Sequence, residues 1–307
     1  MGLLVSVVVI TYNHEPYIRQ ALDSIFSQIV NFSYEVLIAD DASSDKTPQI
    51  LTMYSRLHPE IRLMLRQKNV GATKNGYYAM QKCRGKYLAY LEGDDFWTDT
   101  SKLQKQIDFL EKKSDFIGNC HEFHIVNESG ENIVKTLNWV SHKKVFTLAD
   151  FQGIFLPSQP STYVFRNFFL DKSRDYSFLY KTDRMISDRT HIMFCLSLGN
   201  FYCFGQKMSA YRVMSTGITR RIYGDSSHIG RDLILTQKLE VLADELGVDV
   251  DFSHHRKEMY ASAVICFIKT LDKSNFSILK HIRAGGSRMR FLGYLPIGIW
   301  KRIKCLE

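Results

Sequence analysis

The run Tyr87-Leu88-Ala89-Tyr90-Leu91-Glu92-Gly93-Asp94-Asp95-Phe96-Trp97 decides the fold. Its opening residues suit a buried strand, and three carboxylates follow within four positions. Carboxylates so placed repel one another and cost stability unless a cation neutralises them. A hard divalent ion with oxygen ligands does this. Mg²⁺ or Mn²⁺ held by one or two carboxylates usually also holds substrate phosphates. Taken alone, the stretch reads equally as a solvated acidic turn after a strand.

Two further strand ends tip that balance. Glu35-Val36-Leu37-Ile38-Ala39-Asp40-Asp41-Ala42-Ser43-Ser44-Asp45-Lys46-Thr47 is again a short apolar run closing on paired carboxylates. Ser44 or Asp45 is placed to cap a helix over about Thr47–Leu57. Upstream, Val5–Ile10 is a third such strand, running into Thr11-Tyr12-Asn13-His14-Glu15, and Pro16 suits the first turn of a helix reaching about Phe26. In open α/β sheets ligands bind outside the carboxyl ends of the strands. The polar ends at 11–15, 40–45 and 92–95 therefore line one crevice.

The remaining pattern predicts strands at Arg62–Leu65, Lys86–Leu91, Ile117–Val126, Ser161–Phe165, Asn200–Phe204 and Met208–Val213. Helices are predicted at Asn75–Lys82, Ser101–Lys112, Ser187–Leu198, about Ser226–Leu246 and Ser253–Leu271. The polar stretch 214–224, with Gly217 and Gly224, reads as a mobile loop.

In order and spacing these motifs resemble inverting glycosyltransferases of family 2. The stretches that carry the resemblance are Val5–Asn13, Asp40–Thr47, Asn69-Val70-Gly71-Ala72-Thr73-Lys74-Asn75-Gly76 and Gly85–Asp95. The likeness is strong over residues 4–105, weaker to about 220 and absent beyond. It implies an α/β fold of GT-A type: a Rossmann-like mixed sheet flanked by helices, here with a helical C-terminal extension. The domain at 1–222 would have a nucleotide-binding half (1–110) and an acceptor half (111–222), with 223–307 helical.

The resemblance also implies roles. The donor is a nucleotide-sugar, expected as a UDP-sugar, with Mn²⁺ or Mg²⁺ as cofactor. Glu92-Gly93-Asp94 stands where the family has its Asp-x-Asp motif, so Asp94 is the expected metal ligand and Glu92 an accessory one, while Asp95 braces the turn. Asp40 and Asp41 match base and ribose contacts, and Thr11, Tyr12, Asn13 and Glu15 line the same pocket. Lys74 stands where relatives usually carry Arg, which keeps a charge and loses bidentate geometry. Asp188, in Ile186-Ser187-Asp188-Arg189, is the expected general base, with Asp183 as the alternative and a simple helix cap as the structural one. Tyr211-Arg212-Val213-Met214 matches an element that closes over the diphosphate; Met214 replaces the usual His, and Arg212, Arg220 and Arg221 supply charge. The 214–224 loop becomes a lid. The implied product is a surface polysaccharide, such as a capsule, built on a lipid-linked glycan acceptor.

Composition is compatible with this. The chain has 307 residues, of which 45% are hydrophobic, so a sizeable core is available. No stretch approaches the ~20 apolar residues that span a bilayer. The start lacks a basic n-region and cleavage site, and none of the six cysteines forms a CxxC pair, so a cytoplasmic protein with reduced thiols is expected. The formal charge of +8 concentrates in Lys280–Lys304, interleaved with Phe291, Tyr294 and Trp300. That mixture suits peripheral attachment to the inner face of the plasma membrane, or else a packed helix with a solvated basic face. No nucleic-acid-binding motif is present, and the first strand lacks the Gly-rich loop of a nucleotidyltransferase. Oligomeric state is left open.

Overall fold

The computed structural model describes residues 2–183, 187–215 and 227–270. Most of the expected lid, with Arg220 and Arg221, and the whole basic tail at 280–304 lie outside those residues. Two units result, one formed by Met1–Phe151 with Phe155–Met214, the other by Gln152–Ile154 with Ser215–Glu307.

The first unit is a mixed sheet. Its nucleotide half alternates β1 (Val5–Thr11), α1 (Ile18–Phe26), β2 (Tyr34–Asp40), α2 (Thr47–Leu57), β3 (Ile61–Leu65), α3 (Ala72–Gln81) and β4 (Tyr87–Glu92). These strands pair in parallel in the order β3-β2-β1-β4. A parallel sheet is covered on both faces, which is why β1 is apolar at nearly every position and buried along its whole length. One face carries Val5, Val7 and Val9 at period two, against Ile18, Ala21, Leu22 and Ile25 of α1 at helical spacing. Each fully buried aliphatic side chain contributes roughly 1.5–3 kcal/mol. This cluster is what holds the strand ends in place.

The sheet continues through β5 (Phe96–Trp97), β6 (Phe116–Val126), β7 (Val145–Phe146), β8 (Val164–Arg166) and β9 (Asn200–Arg212), with α4 (Lys102–Lys112) between β5 and β6. β8 is antiparallel to both β4 and β6, and β6 is parallel to β9. The short helices α5 (Leu148–Phe151) and α6 (Phe178–Lys181) precede α7 (Asp188–Leu198).

Two expectations change. The strand predicted from Ser161 begins at Val164, because Pro160–Thr162 forms a 3₁₀ turn closed by Gln159. The two strands predicted around Gly205 are one, with register shifts against β6 absorbing the polar interval. In the second unit, the described helices Ser227–Leu246 and Ser253–Thr270 bury Leu235, Leu239 and Leu242 of the first and Met259 of the second. No described helix is long and apolar enough to cross a membrane.

Candidate active site

Register brings three strand ends together. Thr11 pairs with Asp40, and Ile10 with Glu92. The backbone carries the ladder one step further, as Asp41 N donates to Thr11 O at 3.0 Å and Gly93 N to Ile10 O at 2.9 Å. Neighbouring strands lie about 4.8 Å apart, so the three polar ends share one rim.

The loops leaving β1 and β2 are laced to each other. Asn13 N donates to Ser43 Oγ at 2.8 Å, and Asn13 Oδ1 accepts from Ser44 N at 2.8 Å. Glu15 N donates to Asp45 Oδ2 at 2.9 Å, while Glu15 Oε2 accepts from Lys46 N at 3.1 Å. Asp40 accepts from the backbone and hydroxyl of Ser43. Asp41 accepts from Val70 N at 2.9 Å and Gly71 N at 2.8 Å, and so pins the turn into α3. Asn13, Glu15, Asp40 and Asp41 thus shape the rim as much as they face it. Asn13 and Ala42 hold left-handed φ angles of 55° and 63°, the kind of local strain that a laced loop can sustain. Tyr12 is 46% exposed, and Thr11 Oγ1 is buried without a partner among the described residues.

At the exit of β4 the chain turns on Asp95, which is 1% exposed. Its carboxylate accepts from Ser161 Oγ at 2.6 Å and from Arg212 N at 2.8 Å. Ser161 Oγ also accepts from Glu92 N at 3.1 Å. Asp95 is therefore a brace. Arg212 is tied into the loop from several sides. Its Nε donates to Asp94 O at 2.8 Å, Nη1 to the carbonyls of Asn127 and Glu128, and Nη2 to Gln20 Oε1 at 2.7 Å. The guanidinium lies 4.7 Å from the Tyr17 ring centre and is 3% exposed overall. With these bonds the guanidinium acts as a strut under the loop. Lys74 likewise rests its ammonium over Tyr78 and Tyr180, 5.9 and 5.6 Å from their ring centres.

Glu92 and Asp94 remain. Asp94 keeps a side chain 20% exposed, and among the described residues His14 Nε2 lies at the edge of ion-pair range of its carboxylate, at 3.9 Å. His14, passed over in the sequence, has room because residue 93 is Gly: a Cβ there would lie 2.9 Å from His14 Nδ1 and 3.1 Å from Ile10 O. Burial, with Asp94, Asp95 and Asp188 nearby, pushes the Glu92 carboxyl well above the usual range. The Tyr90 hydroxyl is pushed up by burial and by Glu92, Asp188 and Asp94. Asp188, remote in sequence, is therefore an electrostatic neighbour of the β4 exit. It opens α7, is half-buried, and has its own carboxyl pushed up to about 6 by burial, with Arg189 pulling the other way.

The donor set is chemically suited to a hard cation. Among the described residues no three His, Cys, Asp or Glu side chains converge as a metal cage. A site completed by substrate phosphates needs only one or two carboxylates, and Asp94 and Glu92 meet that requirement.

A family model described as glycosyl transferase family 2 matches residues 6–174, more than half of the chain. A Mycobacterium tuberculosis protein of unassigned function, Rv1520, is 44% identical over 126 residues, which are 41% of this chain and 36% of that one. The Bacillus subtilis putative teichuronic acid biosynthesis glycosyltransferase TuaG is 34% identical over 111 residues, 36% of this chain and 43% of its own. The match thus spans less than half of either relative. The crystal structure of Staphylococcus aureus TarS 1-349 in complex with UDP-GlcNAc superposes with a TM-score of 0.59 at 17% identity, covering 96% of this chain and 79% of that one. That likeness is one of fold, and it extends the GT-A-like architecture over the sheet described above. With the matched region carrying all three strand ends, the chain belongs to glycosyltransferase family 2.

Proposed function

We propose that this protein transfers a sugar, with inversion, from a UDP-sugar to a hydroxyl of a lipid-linked glycan during surface-polysaccharide synthesis. The observation that carries the reading is the register that sets Thr11, Asp40 and Glu92 on one rim within the family-matched region, with Asp94 just beyond β4 and Asp188 opening α7 as an electrostatic neighbour of Glu92. One group near the acceptor must take a proton while the opposite side of the sugar holds the departing diphosphate. The UDP-GlcNAc bound by TarS and the teichuronic acid assignment of TuaG support the donor and product classes.

In this mechanism Asp188, ionised, accepts the proton of the acceptor hydroxyl as that oxygen bonds to the anomeric carbon. The bond from that carbon to the β-phosphate oxygen breaks in the same displacement, so configuration inverts and no covalent enzyme intermediate forms. Asp94, with Glu92, would hold Mg²⁺ or Mn²⁺, which when bound offsets the charge developing on the departing diphosphate. Asp95, Ser161 and Arg212 keep the loop carrying Asp94 in one geometry, which is the preorganisation such a step requires.

A panel of nucleotide sugars with Mn²⁺ or Mg²⁺ tests the reading. A UDP-sugar at a hundred times its dissociation constant should stabilise the fold by about 2.7 kcal/mol and be slowly hydrolysed. A panel in which no nucleotide sugar shifts the melting temperature would exclude the proposal.

The same proposal includes attachment to the cytoplasmic membrane face through the basic, aromatic tail. Each basic residue near an anionic surface contributes about 1 kcal/mol, screened within a Debye length. Salt-sensitive binding to phosphatidylserine vesicles, lost on truncation after Leu279 while donor hydrolysis persists, is expected. Equal vesicle binding by both forms would remove the tail from this role.

A further inference from the structure

Arg66 follows β3 directly. Its backbone N–H donates to Asp40 O at 3.1 Å, which sets residue 66 beside the carboxyl end of β2. Its Nε donates to Asn75 Oδ1 at 2.6 Å. Asn75 is 1% exposed and donates in turn from Nδ2 to Ala39 O at 2.8 Å. The guanidinium is thereby clamped over the top of β2, with the Tyr78 ring centre 5.3 Å from Cζ. Inside this clamp Nη2 is buried and has no acceptor among the described residues. An unpaired N–H on a buried charged group is costly, so its presence marks a place where an acceptor arrives from outside.

We infer that Arg66 reads the base of the donor nucleotide, donating from Nη2 to a ring carbonyl oxygen. The inference rests on the nucleotide-sugar reading above. In the order β3-β2-β1-β4, Arg66 and Asp94 leave strands three places apart. Three strand spacings are about 14 Å, close to the reach of an extended nucleoside diphosphate. With the diphosphate at Asp94, the base falls at the β2–β3 end. There Asp41 fixes the turn at Gly71 and the Tyr12 ring is exposed at the rim. A guanidinium N–H pairs with the carbonyl at position 4 of uracil. Cytosine presents an amino group at that position, and two donors then face each other. Arg66 therefore selects uridine over cytidine donors.

Titration of UDP and CDP in Mn²⁺ buffer, by calorimetry on the full chain, tests this. The parent is expected to bind UDP at least tenfold more tightly than CDP. Arg66→Met should weaken UDP by about tenfold or more, leave CDP nearly unchanged and bring the two affinities together. Arg66→Lys keeps the charge and loses the clamped fork; it is expected to behave like Arg66→Met, and serves where the Met variant does not fold. A merely structural role for Arg66 would lower the melting temperature and leave the UDP-to-CDP ratio intact, which would overturn the inference. Loss of both nucleotides in equal proportion, as for a phosphate contact, would overturn it too. A parent that binds UDP and CDP equally sinks Arg66 alone, whereas a parent that binds neither sinks the donor reading with it.

Discussion

Replacing Asp188 with Asn should leave the nucleotide-sugar bound and slow transfer by about two to four orders of magnitude, the usual contribution of a general base. The amide keeps the size of the side chain and cannot take the acceptor's proton. Two further readouts separate this from a simple loss of helix capping. The Asp188 carboxyl sits at about 6, and the base works ionised. Turnover by the parent should therefore fall about tenfold per pH unit below that value, and the residual rate of Asp188→Asn should lack this limb. The second readout is stability. Because the folded state holds its proton more tightly than the unfolded chain does, Asp188 favours folding at low pH. That contribution is lost as pH rises to about 6. Asp188→Asn should then melt above the parent at pH 8 and close to it at pH 4, an exchange of stability for function. An active Asp188→Asn beside an inactive Asp183→Asn would transfer the role to Asp183.

Asp94→Asn is expected to lose turnover to a comparable degree without unfolding. Among the described residues the Asp94 carboxylate has only the distant His14 as an ion-pair neighbour, and the bond that anchors this residue to Arg212 uses its backbone carbonyl, which the substitution keeps. Metal stabilisation of a departing diphosphate is worth several kcal/mol, and each 1.36 kcal/mol is tenfold in rate. A loss of about 10²–10⁴ follows, with EDTA producing the same loss in the parent and Mn²⁺ reversing it. Mn²⁺ titration in the presence of UDP should show weakened metal binding by Asp94→Asn. Full activity in EDTA would take the metal out of the mechanism.

How much of this was legible beforehand depends on whether the signal was local. The parallel half was readable because buried strands are continuous apolar runs and each ends on polar residues, so Thr11, Asp40 and Glu92 announce themselves. Asp188 is proposed as base from the resemblance, not from pattern, since Asp at a helix start is usually a cap. The bracing role of Arg212 was not legible, because a basic residue in a loop-proximal motif reads as free charge. Its acceptors at Asp94, Asn127, Glu128 and Gln20 come from segments that meet only through the sheet. The placements of His14 and Arg66 were illegible for a related reason. Nothing beside them in sequence tells that Gly93 admits one, or that Asn75 clamps the other.

The brace between Asp95 and Arg212 joins positions 117 residues apart. At about 5–20 residues per second of synthesis, that separation is roughly 6–23 s of waiting. Strands β1 to β4 are already available for pairing in that interval, while the carboxylates after β4 still face water. In water, unit charges a few ångströms apart repel by only about 1 kcal/mol. The electrostatic cost of enclosing them falls due when β9 arrives and seats Arg212 beneath the loop. A nascent chain halted before that point would carry a formed parallel sheet with an open, unbraced acidic turn.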